Sequence, residues 1–175
     1  PQAAGQAPVL DFRFRNGNQV AFEAHIVDVP KLLNDVKAYL RANPGNRVDW
    51  NQVNVQNVGY RLVEQQQNQY LVGKAAAWNV DLKPRPNHVD DRITVKAPIK
   101  KPGAYLITAQ MANGNLSRIL VWVADTVIVK KQLDQQSLYY VADAVTGTPV
   151  DKAQVEFFGW KTQQGAPNVN QFKVV

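Results

Sequence analysis

Strict alternation opens the readable part of the chain. In "VLDFRFRN", Leu10, Phe12 and Phe14 take one face and Asp11, Arg13 and Arg15 the other. That period of two is the mark of a half-buried strand, and the Asn16-Gly17 pair after it is a strong turn signal. "QVAFEAHIVDV" repeats the pattern with Val20, Phe22, Ala24 and Ile26 inward, so the two strands are expected to form a hairpin. The period then changes. Leu32, Leu33, Val36, Tyr39 and Leu40 recur at steps of three and four, which builds one apolar stripe on a helix. Asp28 is placed to cap it, Pro30 suits its first turn, and Asn43-Pro44-Gly45 ends it. One helix therefore interrupts a strand-rich chain.

Residues 46–70 carry many Asn and Gln, with a glutamine cluster at 65–67, and read as a polar loop or hairpin tip. Strand character resumes in "QYLVGKAAAWNVDL", with Trp78, Val80 and Leu82 on one face. "KPRPNHVDD" is a proline-rich loop, "RITVKAPI" alternates again, and Pro102-Gly103 turns the chain into "AYLITAQM". "ANGN" then leads into "LSRILVWVADTVIVKK". About six or seven short strands between residues 9 and 130, with regular turns, predict an antiparallel β-sandwich. Alternating βα units are absent, which argues against a parallel doubly wound sheet.

Near the C-terminus, "VADAVTGTPVDKAQVEFF" reads as the opening of another β-unit. "SLYYVADA" is a strand, Thr146-Gly147 makes the turn, and Pro149 suits a strand start. Ala153, Val155 and Phe157 are expected to face a core, and "QFKVV" to form a last strand after a loop. A free-standing sandwich needs about 100 residues, so residues 129–175 are either the start of a second β-domain or strands docked on the first. The expected organisation is a disordered lead-in at 1–8, a β-sandwich over 9–128, and the start of a second, truncated β-domain over 129–175.

Composition narrows the functional classes. The chain has 175 residues, 45% of them hydrophobic, and no cysteine. Disulfides, thiolate metal sites and cysteine nucleophiles are thereby excluded from it. No apolar run approaches the length needed to cross a bilayer, so direct membrane insertion is not expected. "PQAAGQAP" has neither a basic nor an apolar leader segment, which fits a cytoplasmic protein or the mature part of an exported one. The net charge of +6 is spread out. Its densest groups, Lys100-Lys101 and Lys130-Lys131, are pairs, whereas a nucleic-acid surface needs a patch; no nucleic-acid partner is expected.

Candidate chemistry is sparse. His25 and His88 lack a second ligand at metal-binding spacing, and Ser117 and Ser137 sit in no nucleophile elbow. Asp90-Asp91 lacks the surrounding oxygen donors of a calcium loop and reads as an exposed turn. Trp50, Trp78, Trp122 and Trp160 could form a stacking platform, but their spacing favours packing. No catalytic, cofactor-binding or metal-ligating residue is assigned, no cofactor is expected, and the chain is not read as an enzyme.

Three segments together resemble the bacterial alpha-2-macroglobulin family. They are "VLDFRFRNGNQVAFEAHIVDVPKLL", "AAAWNVDLKPRPNHVDDRITVKAPIKKPGAYLITAQM" and "SRILVWVADTVIVKKQLDQQSLYYVADAVTGTPVDKAQVEFFGW". The last is similar to a junction where one macroglobulin-type domain ends and the next begins with a TGxPVxxAxV strand. The resemblance spans nearly the whole chain and is poorest at 46–70. It implies a mostly β fold: an immunoglobulin-like, macroglobulin-type antiparallel β-sandwich with one short inserted helix, followed by a partial second sandwich. It also implies a scaffold segment of a broad-spectrum protease inhibitor of the bacterial periplasm or cell envelope. The implied partners are neighbouring macroglobulin-type domains of the same parent chain, and proteases as targets of the full-length protein. Trapping in that family uses a cleaved bait segment and, in many members, a C-x-E-Q thioester; neither is present, so no functional residue carries over. A cell-surface adhesion or ligand-binding sandwich is the alternative.

Overall fold

The alternating segments become strands close to where their period places them. The structure, a computed structural model, describes residues 1–42, 49–112, 114–164 and 170–174. Contacts divide the chain into two units: residues 1–27 with 71–153, and residues 28–70 with 154–175.

The first unit holds β1 (Gln2–Ala3), β2 (Val9–Phe14), β3 (Gln19–Val27), β4 (Leu71–Asp81), β5 (Asp91–Lys96), β6 (Gly103–Met111), β7 (Leu116–Ala124), β8 (Thr126–Leu133) and β9 (Gln136–Asp143). A five-stranded sheet runs in the order β1-β7-β6-β3-β4, while β2 pairs with β5 and β8 with β9. One core joins the first two sheets. Val20, Phe22 and Ala24 of β3, Ile107 and Ala109 of β6, and Val121 and Val123 of β7 meet Leu10 and Phe14 of β2 and Val95 of β5. Phe22 stacks on Trp78 with ring centroids 5.1 Å apart, and Phe12 meets Phe22 edge-on at 5.6 Å. On β4, Trp78 and Val80 pack against this core and Leu82 just beyond is buried, as their alternation predicts.

The hairpin expected from β2 and β3 is not formed. β2 pairs with β5, from Val9↔Lys96 to Phe14↔Asp91, and β3 lies between β4 and β6. The Asn16-Gly17 turn instead carries the chain from one sheet to the other, with Gly17 at φ +93°. Alternation fixes which side chains face the core, but a strand can meet that core from either layer. The expected disorder at 1–8 is also corrected. Gln2 and Ala3 run parallel to β7 at Val123 and Ala124, Ala4 N–H donates to Ala124 O at 2.8 Å, and Pro8 is fully buried.

In the second unit, α1 (Val29–Arg41) follows its stripe closely, burying Leu32, Val36 and Leu40. The Asp28 carboxylate accepts from Lys31 N–H at 2.9 Å, the cap its position predicts. Asn43-Pro44-Gly45 lies outside the described residues. The loop expected at 46–70 contains, among its described residues, two short helices, α2 (Trp50–Val53) and α3 (Val58–Val63), and a single turn of 3-10 helix at 68–70. Asp49 caps α2 and Asn57 caps α3. The inserted element is thus three helices where one was expected. Four- and six-residue helices are too short to show a 3.6-residue stripe, so only their caps were there to read.

The strand expected over 153–157 is likewise absent. Val155 and Phe157 are exposed. Glu156 pairs with Lys37 of α1, while Lys37 and Arg41 sit over the Phe158 ring at 5.7 and 5.6 Å. No described strand lies beside 153–157 to complete a ladder, so contacts with α1 fix the segment. Two further strands follow, β10 (Trp160–Gln164) and β11 (Asn170–Val174), paired antiparallel.

The uneven cover of the core has a measurable consequence. Ile107 is 1% exposed at the sheet centre, whereas Ile119, on the core-facing side of β7, is 49% exposed. Ile107→Ala is expected to cost about 2–5 kcal/mol in urea unfolding, the range for truncating a fully buried Ile. Ile119→Ala is expected to cost less than half as much. Equal losses would show that the two-layer cover described here is wrong.

Candidate functional site

The titratable residues singled out in the sequence are dispersed by the fold. His25 Nε2 lies 3.9 Å from Glu23, and His88 Nδ1 meets the Asn16 side-chain oxygen at 2.8 Å. Asp90 pairs with Arg15 at 2.7 Å and Asp91 with Arg85 at 3.2 Å, so the two adjacent carboxylates serve different arginines. Ser137 donates to Gln132 Oε1, while Ser117 lines an open cleft. Among the described residues, no group of three or more His, Asp or Glu is placed to hold a metal ion.

Two features were not legible beforehand. Arg61 is 2% exposed. Its Nε donates to Gln67 Oε1 at 3.0 Å and its Nη1 to the Gln52 carbonyl at 3.2 Å, beneath the Tyr70 ring. A guanidinium needs several acceptors when buried, and the Asn- and Gln-rich stretch supplies them. Arg61 of α3 is thereby tied to the main chain of α2 at Gln52 and to the side chain of Gln67. The tryptophans are also separated, with Trp122 of β7 38% exposed. Trp78 belongs to the sandwich core, whereas Trp50 and Trp160 line one open cavity of about 280 Å³ in the second unit.

The most conspicuous surface is the β8–β9 hairpin. Asp125 separates β7 from β8, and among the described residues β8 pairs only with β9, from Thr126↔Asp143 to Leu133↔Gln136. Its apolar side chains have little cover: Ile128 is 56% exposed, Val129 53% and Leu138 52%. Successive strand residues point to opposite faces, so Ile128 and Val129 leave both faces apolar and open.

The same hairpin ends in the best-organised piece of the C-terminal region. Asp143 Oδ1 accepts from Val145 N–H at 2.9 Å, Thr146 N–H at 2.7 Å and Thr146 Oγ1–H at 3.0 Å. Gly147 takes φ +74°, a conformation favouring glycine. Val150 N–H then donates to Val141 O at 3.0 Å, and Pro149 bridges Ala142. The "DAVTGTPV" motif folds the chain back on β9 as its turn residues predict.

This architecture has a structural counterpart. A solved structure of native alpha-2-macroglobulin from Escherichia coli, spanning domains MG0-NIE-MG1, matches it with a TM-score of 0.54 over 85% of this chain. The fold is macroglobulin-type. The two sequences are 13% identical, and the matched region is 44% of that fragment, so the chain spans less than half its length. No family model and no curated protein matches the sequence. The mostly β, macroglobulin-type sandwich inferred from the three sequence segments is thereby borne out as a fold, with the changes in strand pairing and helix number already described.

The turn carries a pH signature. Hydrogen bonds, first from the Thr146 backbone and then from that of Val145, hold Asp143 below the usual carboxylate range. A carboxylate depressed on folding stabilises fully above its unfolded pKa of about 3.9 and loses that contribution as pH falls through the folded value. The Thr146 amide resonance is therefore expected to titrate below pH about 3.9, and Asp143→Asn to remove that step. An unchanged titration in the variant would assign it to another group.

Proposed function

We propose that the chain is a structural scaffold segment of a bacterial alpha-2-macroglobulin-like, broad-spectrum protease trap. It carries no catalytic residues of its own and acts by holding other parts of the parent protein in place. The observation that carries this reading is the likeness of fold to the E. coli fragment over 85% of the chain. The scattered ion pairs and the open apolar hairpin support it. On this reading residues 129–175 open a further macroglobulin-type domain whose remaining strands cover Ile128, Val129 and Leu138. Its partners are then neighbouring domains of the parent chain, with proteases as targets of the whole protein. The parent is exported to the periplasm or cell envelope, and no described helix is long and apolar enough to cross a membrane.

A cell-surface module that binds a ligand or adheres is the second reading, favoured by Trp50 and Trp160 lining one cavity. Aromatic pairs of this kind serve as stacking platforms.

The decisive experiment uses the full-length protein mixed with several unrelated proteases. A trap is expected to protect large protein substrates from digestion while small chromogenic substrates are still cleaved. Inhibition of both substrate sizes, or by the isolated segment at a protease active site, would overturn the scaffold reading. Protection of neither would favour the binding module.

A further inference from the structure

A strand position stands open beside β2. Val9 N–H donates to the Gln2 side-chain oxygen at 2.8 Å, and the Gln2 amide donates back to Val9 O at 3.0 Å. One side chain thus occupies both backbone groups, as a paired strand would. The preceding carbonyl, of Pro8, accepts instead from Ala97 N–H, on the β5 side. Antiparallel strands alternate between residues bonded to the neighbour and residues facing away. With Val9 facing away from β5, the backbone groups of Asp11 and Arg13 face the same outer edge.

Beneath that edge runs an apolar groove of about 290 Å³, with Leu10, Phe12, Phe22, Ile107 and Ile119 in its lining. Ile119 explains how the groove arises. It lies on the same face of β7 as Val121 and Val123, which are buried, yet remains half exposed. The two-stranded layer does not reach over it. Among the described residues β7 is also open there, since β1 pairs with it only at Val123 and Ala124.

Charge lines the opening. Arg13 borders the groove and is within ion-pair distance of no carboxylate among the described residues. Arg13 stands directly opposite Arg92 across the β2–β5 ladder. Arg92 is paired with Asp11 at 3.5 Å, and Asp90, bonded to Arg15, interacts electrostatically with Arg13. Like charges face to face destabilise a ladder, and an incoming carboxylate relieves that.

We propose that this groove takes an extended segment of a partner protein, added as a third strand along the outer edge of β2. Apolar side chains at every second position enter the groove, and acidic side chains between them reach Arg13. Main-chain bonds to Asp11 and Arg13 supply affinity, and the alternate side chains supply selectivity.

The test uses a fluorescein-labelled octapeptide alternating valine and glutamate, with fluorescence anisotropy as readout. Two controls carry alternating valine and lysine, or the same valines and glutamates in separate blocks. Saturable binding is expected for the alternating acidic peptide, at least about tenfold tighter than for either control. The amides of Asp11 and Arg13 are expected to shift in NMR spectra and to gain protection from exchange. Arg13→Glu should reverse the preference toward the lysine peptide. Ile119→Glu, at a half-exposed position, should abolish binding with an unchanged circular dichroism spectrum, and Ile128→Glu on the β8–β9 hairpin should leave it intact. Equal binding of all three peptides, no binding at millimolar concentration, or loss of binding through Ile128→Glu would overturn the proposal. So would sedimentation showing that a dimer alone protects Asp11 and Arg13, since a second copy then fills the edge. The scaffold reading stands or falls separately, on protease protection.

Discussion

Two β-layers of unequal breadth face each other, and most of what is distinctive in the first unit follows from that mismatch. A sheet with an apolar face needs something to cover it. β3 and β6 lie at the centre of the five-stranded sheet, and their inward residues are almost wholly enclosed. β2 and β5 form the opposing layer by themselves. Two strands at about 4.8 Å spacing cannot span five, so cover fails first at the margin, where Ile119 stands. The N-terminal residues make up part of the shortfall: β1 pairs with the end of β7, Gln2 bonds Val9, and Pro8 is buried.

The C-terminal hairpin has the same deficit in a more severe form. A two-stranded ribbon is marginal in water unless something packs on it, and β8–β9 presents Ile128, Val129 and Leu138 outward. What gives this hairpin definition is local: the Asp143 hydrogen bonds, the positive φ of Gly147 and the return of Val150 to Val141. These fix the path of the chain without burying much apolar surface. Such a ribbon is suited to being packed against, and this ties its geometry to the multidomain reading proposed above.

Much of this was legible beforehand because period-two patterns and caps are local. Leu10, Phe12 and Phe14 announced β2, Trp78 and Val80 announced β4, and the stripe Leu32, Val36, Leu40 with its Asp28 cap announced α1. Pairing was not legible. The Asn16-Gly17 turn serves equally to join two strands in one sheet or to cross between layers, and the difference lies in what β3 finds elsewhere in the chain. The helices at 50–53 and 58–63 escaped because four and six residues are too few to show an apolar stripe. Arg61, which organises them, looks in sequence like any surface arginine; its burial depends on Gln52, Gln67 and Tyr70 converging. Val155 and Phe157 erred the other way, since an alternating apolar stretch needs a neighbouring layer before it can be inward.

The two open surfaces of the first unit differ in chemistry, and the difference bears on what each selects. The hairpin faces are aliphatic and aromatic, and their nearest charge is partly engaged, with Lys130 over the Tyr139 ring at 5.9 Å. Apolar contact of that kind is strong in proportion to area but discriminates poorly among partners. It suits a companion held nearby by the chain itself, where effective concentration does the selecting. The groove beside β2 couples an apolar floor to open backbone groups and the exposed Arg13 guanidinium. Register, alternation and sign of charge must all agree before a segment fits there. That combination selects by rejecting wrong partners, which a permanently tethered neighbour does not require and a separately encountered strand does.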